Sequence, residues 1–432
     1  MKAVARAEDP VVEATGRFLK SFKRPARLLV AISGGSDSTG LLVALATLCA
    51  TGRYPGITLA ACTIDHALRA GSAEEAKWVE ALCARHGIPH VIRRWEGEKP
   101  ASGLQAAARA KRYDLLVEAA VELGADSILA AHTSDDQNET VAMRAKRSPE
   151  GIGLSGMADA VLLNGAVWLL RPFLSLERAS VRAFLAARGE TWLDDPSNRN
   201  SHFERVRIRE RGTAANPTLS SQDRHLLSER AADFLIENVR AERGLFAIGP
   251  AAVEAFLADP AAWRGLLLLA ATAGGRAHAL ETASADRLRA FLASGRLSRL
   301  TAGRAVFDRR RDGLFLYREH RGIESLALPA GTATLWDGRY RVANVTGQPI
   351  VVSAVGDEEG QGDAVLRGPA LRARRAAPRL KFEDGEMVPA DGARVEPSIA
   401  PYARFLPRFD LPLANALAGI LGCRPFSSPS NE

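Results

Sequence analysis

Residues 28 to 38 read Leu-Leu-Val-Ala-Ile-Ser-Gly-Gly-Ser-Asp-Ser, and this stretch limits the possible folds more than any other. Leu28 to Ile32 is a short apolar run of the kind that forms a strand buried on both faces. Two glycines and the polar residues Ser36, Asp37 and Ser38 follow, and a helical pattern then runs from Thr39 to Cys49. Strand, glycine turn and helix together point free backbone N–H groups at an anion. Gly34 and Gly35 let the backbone approach a phosphate closely, and Ser33, Ser36 and Ser38 add hydroxyl donors. No lysine is present, so this is not a Walker A loop. Asp37 stands there instead. A carboxylate beside a polyphosphate calls for a cation between them, usually Mg²⁺. Short Gly/Ser turns also join strands to helices without any ligand; the full string in its strand–helix setting favours the phosphate site.

Further apolar runs at residues 57–64, 90–93, 127–131 and 167–170 predict four more strands. Helical patterns at 72–86 and 104–123 lie between them, the first with Ser72 as N-cap and Glu75 at the capping-box offset. This alternation predicts an α/β fold, an N-terminal parallel sheet with helices on both faces. Ligands in such sheets sit beyond the carboxyl ends of the strands. Three polar clusters fall there: the Ser33 loop, Asp65-His66, and the segment from His132 to Thr140. The last carries Asp135, Asp136 and Glu139. In a first helical turn such acids can simply answer the dipole, but beyond the same sheet edge they make a metal and substrate site. Asp136 and Glu139 share a helix face, so they can hold Mg²⁺ or grip an ammonium group. Arg109 and Arg112 also share a face, which is either solvated or a clamp on phosphates.

A chain of 432 residues is too long for one core. Its net charge of +7 favours an anionic partner such as nucleic acid. The basic run Arg199, Arg205, Arg207, Arg209 and Arg211 is either a solvated face or a phosphate contact. Cys49, Cys62, Cys83 and Cys423 form no C-x-x-C pair, which signals neither zinc nor redox chemistry and suits a reducing cytoplasm. Residues 1–9 lack the apolar segment of a signal peptide, and the apolar run at 266–273 is too short to cross a bilayer. The expectation is a soluble, cytoplasmic protein. Residues 220–294 read as helical, and β-like runs follow from Leu297, with Arg309 to Gly313 as a hairpin turn.

The Ser33–Ser38 loop resembles the pyrophosphate-binding loop of the N-type ATP pyrophosphatases, which split ATP between its α- and β-phosphates and adenylate a carbonyl oxygen. Further motifs narrow the resemblance. They are Asp65-His66-Ala67-Leu68-Arg69, Arg109-x-x-Arg112-Tyr113, His132-x-x-Asp135-Asp136-Gln137-x-Glu139-Thr140, Gly153-Leu154-Ser155-Gly156-Met157, Arg171-Pro172-Phe173-Leu174 and Trp192-Leu193-Asp194-Asp195-Pro196-Ser197-Asn198. In this order, over roughly the first half of the chain, they resemble the tRNA(Ile)-lysidine synthetase family. Three departures stand out: Thr133 where a second His is common, Arg147-Ser148-Pro149-Glu150 where the family has Arg-Gly-Ser-Gly, and Val206 where Asn is often seen.

The resemblance implies an adenine nucleotide α-hydrolase-like catalytic domain over residues 1–212, a mainly helical tRNA-binding domain over 213–322 and a C-terminal α+β region over 323–432. It implies ATP and Mg²⁺ as cofactors, and L-lysine and an isoleucine tRNA with a CAU anticodon as substrates. The wobble cytidine is adenylated, and lysine then displaces AMP to form lysidine. In this scheme Ser33, Gly34, Gly35, Ser36, Asp37 and Ser38 cradle pyrophosphate, and Ile32 and Ile64 border the adenine. Asp37 and Asp136 hold Mg²⁺. Asp136 and Glu139 position the lysine amine, Arg112 stabilises the activated intermediate and His132 orients the cluster. Arg205, Arg207 and Arg209 contact tRNA. The oligomeric state stays open, a homodimer included. Two alternatives are another PP-loop tRNA-modifying enzyme, which as a thiolase needs catalytic cysteines, and an inactive tRNA-binding relative, in which Asp37 or the acidic cluster is expected to be eroded.

Overall fold

The computed structural model describes residues 9–68, 71–147, 155–194, 219–356 and 366–431. The chain divides into two compact units, Met1–Asp223 with Ser428–Glu432, and Arg224–Ser427.

The first unit contains α1 (Pro10–Lys20), β1 (Ala26–Ala31), α2 (Ser36–Ala50), β2 (Ile57–Asp65), α3 (Ser72–Arg85), β3 (His90–Arg94), α4 (Leu104–Glu122), β4 (Ser127–Leu129), α5 (Ser134–Arg147), β5 (Ala160–Leu163), β6 (Val167–Leu170) and α6 (Arg178–Ala186). Its six strands lie in the order β5-β6-β4-β1-β2-β3. All neighbours from β6 to β3 are parallel, and β5 runs antiparallel to β6. The register sets Leu29 opposite Ala60 on one side and Ile128 on the other. Right-handed crossovers put α2 and α3 on one face and α4 on the opposite one. Leu29, Ala60, Cys62 and Ile128 pack beneath Tyr113, Leu116 and Val117 of α4. Burial pushes the Cys62 and Cys83 thiols up to about 12, so both behave as small apolar core residues.

Two local expectations change. The N-cap of α3 is Gly71, with no side-chain cap bond, and Ser72 is already helical. The edge strand β5 is an addition to the predicted set. Asn164 and Gly165, both at positive φ, turn it into β6. Asn-Gly is the dipeptide that suits such a turn.

In the second unit, α7 (Ser221–Asn238) leads into β7 (Val239–Glu242), β8 (Leu245–Ile248), α8 (Pro250–Ala258), α9 (Pro260–Gly274), α10 (Thr282–Ala293), β9 (Arg299–Ala302), β10 (Ala305–Arg310) and β11 (Gly313–Arg318). The strands form an antiparallel sheet in the order β7-β8-β11-β10-β9. The β7–β8 pair interrupts what reads as a helical region. Arg243-Gly244, both at positive φ, supplies its turn, and β11, distant in sequence, supplies its other neighbour. The Arg309–Gly313 turn is as expected, with Arg310 paired to Gly313. Two three-stranded sheets follow, built from β12 (Leu326–Leu328), β13 (Ala333–Trp336), β14 (Tyr340–Asn344), β15 (Ile350–Ala354), β16 (Pro378–Phe382) and β17 (Ala393–Pro397). They share a core of Trp336, Val342, Ile350 and Val352. Among the described residues, no helix is long and apolar enough to cross a membrane.

Candidate active site

Strand β1 is flanked by β2 on one side and β4 on the other, so the chain reverses direction across the sheet there. The loops leaving β1 and β4 diverge at this switch point and leave a crevice beyond the strand ends. The loop after β1 is held open by its own polar groups. The Ser33 N–H donates to Ser38 Oγ at 3.2 Å, and Ser38 Oγ donates to the Gly35 carbonyl at 3.1 Å. The Thr39 hydroxyl donates to the Gly34 carbonyl at 3.1 Å. Gly34 has φ +84°, and a Cβ there would come within 2.7 Å of Leu193 Cδ1. The Leu193 N–H straps the loop by donating to the Gly34 carbonyl at 2.9 Å. The N-cap of α2 is Gly35, which has no side chain to cap the helix. The N–H groups of the first turn therefore face the crevice as an anion site.

The α5 segment supplies the carboxylates. Asp136 Oδ2 accepts from the Thr133 N–H at 2.9 Å and from its hydroxyl at 3.2 Å. Thr133 thus pins Asp136. Between the α2 loop and α5 sits Arg178, the first residue of α6. Its Nε donates to Asp37 Oδ2 at 2.8 Å, and its Nη2 donates to Asp136 Oδ1 at 3.1 Å. Its Nη1 lies 3.8 Å from Glu139 Oε1. Its backbone N–H donates to Asp135 Oδ2 at 2.9 Å, so Asp135 caps α6 from a neighbouring helix. Burial opposes the charge on Arg178, but Asp37, Asp136 and Asp135 outweigh it and hold the guanidinium pKa above its ordinary value. Helix α6 comes this close because Gly40 of α2 has no side chain. A Cβ there would collide with Val181 Cγ1.

A second group lies around α4. Buried Arg171 donates from Nε to His132 Nδ1 at 3.2 Å and from Nη1 to the Ala158 carbonyl at 2.6 Å. An accepting Nδ1 puts the hydrogen of neutral His132 on Nε2. The guanidinium carbons of Arg109 and Arg112 lie 5.1 and 5.7 Å from the centre of the Tyr113 ring. Burial pushes the Tyr113 hydroxyl up, but Arg109, Arg112 and Arg171 together bring it below its ordinary value. Gln137 clasps the next loop. Its side chain donates to the Met157 carbonyl at 3.0 Å and accepts the Met157 N–H at 2.6 Å.

The PP-loop domain family matches residues 8–214. The chain is 46% identical to the tRNA(Ile)-lysidine synthase of Rhizobium meliloti (strain 1021), over 97% of each chain. It is 40% identical to the enzyme of the same name from Mesorhizobium japonicum, over 92% of each. With that from Brucella canis the identity is 36%, over 92% of this chain and 95% of the relative. The chain belongs to the tRNA(Ile)-lysidine synthase family.

For a lysidine synthase relative, the expected residues fall into two groups. Asp37, Asp136 and Glu139 meet on one guanidinium, and Ser33, Gly34, Gly35, Ser36 and Ser38 line the α2 N-terminus beside them. His132 and Arg112 belong to the group around Tyr113 and Arg171. The Ile32 N–H and carbonyl are engaged by the Cys62 carbonyl and the Thr63 hydroxyl, both at 3.0 Å. Ile64 is half-buried against the core under α4. Arg205, Arg207 and Arg209 lie outside the described residues, as do Gly153, Leu154 and the Asp195–Asn198 motif.

Mg²⁺ is expected on Asp37 and Asp136, and every oxygen of both carboxylates already accepts a hydrogen bond from the protein. Asp37 binds the Ser36 hydroxyl at 3.1 Å through Oδ1 and Arg178 through Oδ2. Asp136 binds Arg178 through Oδ1 and Thr133 through Oδ2. Among the described residues, no group of three or more His, Cys, Asp and Glu side chains converges on a metal position. With the Arg178 guanidinium between the two carboxylates, this arrangement does not fit a metal ion there.

Arg178, Arg171 and Tyr113 have roles that motif reading assigned to none of them. Arg178 carried one signal. A cation in the first turn of a helix opposes the dipole, so negative charge had to be waiting for it.

Proposed function

We propose that this chain joins L-lysine to the wobble cytidine of a CAU-anticodon isoleucine tRNA, in the cytoplasm, and that the crevice at the β1–β4 switch point carries out both half-reactions. In the first, the cytidine O2 bonds to the α-phosphorus of ATP and pyrophosphate leaves. In the second, the lysine ε-nitrogen bonds to C2, the C2–O2 bond breaks and AMP leaves with that oxygen. The open N-terminus of α2, with Ser33, Ser36 and Ser38, receives the pyrophosphate. Asp136 and Glu139 hold the lysine ammonium, and one of these carboxylates takes the proton that the ε-nitrogen must lose before its lone pair attacks C2. Arg112 balances the charge of the adenylated cytidine, and His132 is kept in one orientation by Arg171. Ile32 and Ile64 border the adenine. Basic residues, with Arg205, Arg207 and Arg209 among them, contact the tRNA backbone.

One observation carries this reading: the uncapped N-terminus of α2, with Asp37 in its first turn, and the carboxylates Asp136 and Glu139 of α5 meet on one guanidinium at a single strand-end edge. The test is incorporation of labelled L-lysine into a CAU isoleucine tRNA transcript with ATP and Mg²⁺, beside a methionine tRNA and Asp37→Ala. Labelling that requires ATP, spares the methionine tRNA and disappears in the variant supports the proposal. Pyrophosphate release with another RNA and no lysine transfer overturns it.

A further inference from the structure

We propose that Arg109 and Arg171, linked by Tyr113, form a second anion subsite of the first unit, and that it takes a phosphodiester of the RNA strand that carries the reacting cytidine. The inference rests on the reading above for the kind of RNA; the subsite itself follows from charge and burial. Arg109, Arg112 and Tyr113 fall at i, i+3 and i+4 of α4, so one helix face carries all three. The two guanidinium carbons lie 5.1 and 5.7 Å from the centre of the Tyr113 ring. Arg171, only 8% exposed, meets the same tyrosine from the end of β6. Its acceptors are His132 Nδ1, the Ala158 carbonyl and the Tyr113 oxygen, with no carboxylate among them. Arg109 takes part in no ion pair among the described residues. A buried cation is ordinarily matched by an anion, and among the described residues these two arginines are given none.

The electrostatic response of the neighbours points the same way. The charges acting on the Tyr113 hydroxyl are those of Arg109, Arg112 and Arg171. Burial holds the Arg171 guanidinium below its ordinary value; Tyr113 opposes this, and Arg109 adds to it. Burial and then Arg109 lower Arg144 of α5 as well. Arg178, surrounded by carboxylates, moves in the opposite direction. At the end of β2, His66 Nδ1 is buried without a hydrogen-bond partner among the described residues, and burial and then Arg112 lower the pKa of its ring. An anion with several oxygens answers these guanidiniums together, and their planar forks suit a phosphate. Of the two phosphate-bearing substrates, the nucleotide already has the α2 N-terminus. The RNA must offer its reacting base unpaired, and contacts to phosphates are what fix the register of such a strand. A phosphodiester held by Arg109 and Arg171 fixes the strand beside the reacting cytidine.

The test is the affinity of the full chain for a CAU isoleucine tRNA assembled by ligation, in which single anticodon-loop linkages are neutral methylphosphonates on 2′-O-methyl nucleotides. The same nucleotides with ordinary linkages are the reference. Arg109→Gln should weaken binding of the reference about tenfold and reduce the slope of log affinity against log salt by about one phosphate contact. One neutral linkage should cost wild type about tenfold and Arg109→Gln nothing further. Equal affinities of wild type and Arg109→Gln for the reference, or additive losses at every linkage, overturn the proposal. If melting shows Arg109→Gln to be unfolded, the same coupling is read on Arg109→Lys, which keeps the charge and loses the fork. AMP and inorganic phosphate, titrated in parallel, separate the sources of the anion: a variant that loses affinity for AMP and keeps that for RNA overturns the RNA assignment. None of these readouts needs lysine transfer. A missing coupling with wild-type binding intact overturns this inference alone, whereas a wild type that binds no CAU tRNA overturns the reading above with it.

Discussion

Two carboxylate–arginine clusters, one in each unit, are built from the same groups in opposite proportion. At the switch point, one guanidinium serves three carboxylates. In the second unit, Asp337 serves three guanidiniums, those of Arg304, Arg318 and Arg339. Arg318 reaches Asp337 with two bonds of 3.1 Å, and Arg339 Nε reaches it at 2.6 Å. The spare donors of these arginines go to backbone carbonyls: Arg318 to Glu319 and Arg339 to Ala376. Asp337 sits in the β13–β14 turn at φ +50°, beside Gly338, whose missing side chain lets the Gly275 carbonyl approach. Its side chain is 2% exposed. Arg318 and Arg339 are thus tied at both ends to the protein, so the cluster is a clasp. The switch-point cluster, by contrast, carries surplus negative charge on partly exposed side chains. Stoichiometry and exposure, not residue type, separate the two roles.

The largest expected effect tests the catalytic side of this contrast. Asp37→Ala should lower lysine incorporation at least about 10²–10³-fold, on the scale of losing one charge-stabilising group, with little change in the urea midpoint, because Arg178 keeps Asp136 and Glu139. If activity and stability fall together, the switch-point cluster is a clasp too. Asp337→Ala should do the reverse. It leaves buried guanidiniums without their anion, at a cost of about 3–5 kcal/mol in urea unfolding, while activity per folded molecule is retained.

A smaller effect should come from Gly40→Ala. The added methyl overlaps Val181 and should cost about 1–3 kcal/mol. It should also reduce lysine incorporation, because α6 carries Arg178. A stability loss with full activity would show that the position of α6 is not critical. The smallest effect is a pH slope that neither cluster produces. His66 lies below its ordinary value of 6.5 because of burial and then Arg112, and His90 mainly because of burial. Both are favoured neutral in the folded chain, so the unfolded chain binds more protons as pH drops below 6.5. Their stabilisation is complete above that value and lost on acidification. The melting temperature should fall from about pH 7.5 to about pH 5.5, and His66→Gln with His90→Gln should flatten the fall.

The strand–glycine–helix turn after β1 was legible because its requirement is local. A buried strand, two glycines and a helix start lie within eleven residues, 28–38, and backbone geometry does the rest. The Asp136–Glu139 pair was legible for the same reason, since helix periodicity alone puts both on one face. The β5–β6 hairpin carried a local signal in Asn164-Gly165, but a four-residue strand is too short to show periodicity. The β7–β8 pair lacked even that, because its other neighbour is β11.

From its sequence alone, this chain determines an α/β unit with a glycine-capped helix start and acidic residues beyond the same sheet edge, since each follows from spacings of a few residues. Tertiary structure alone decided which cation those acids hold. Arg178 is 141 residues from Asp37 and 42 from Asp136. They meet because strand order and crossover handedness bring the loops after β1 and β4 together, and because Gly40 lets α6 close on α2. No local pattern encodes a contact set by where two chain reversals meet.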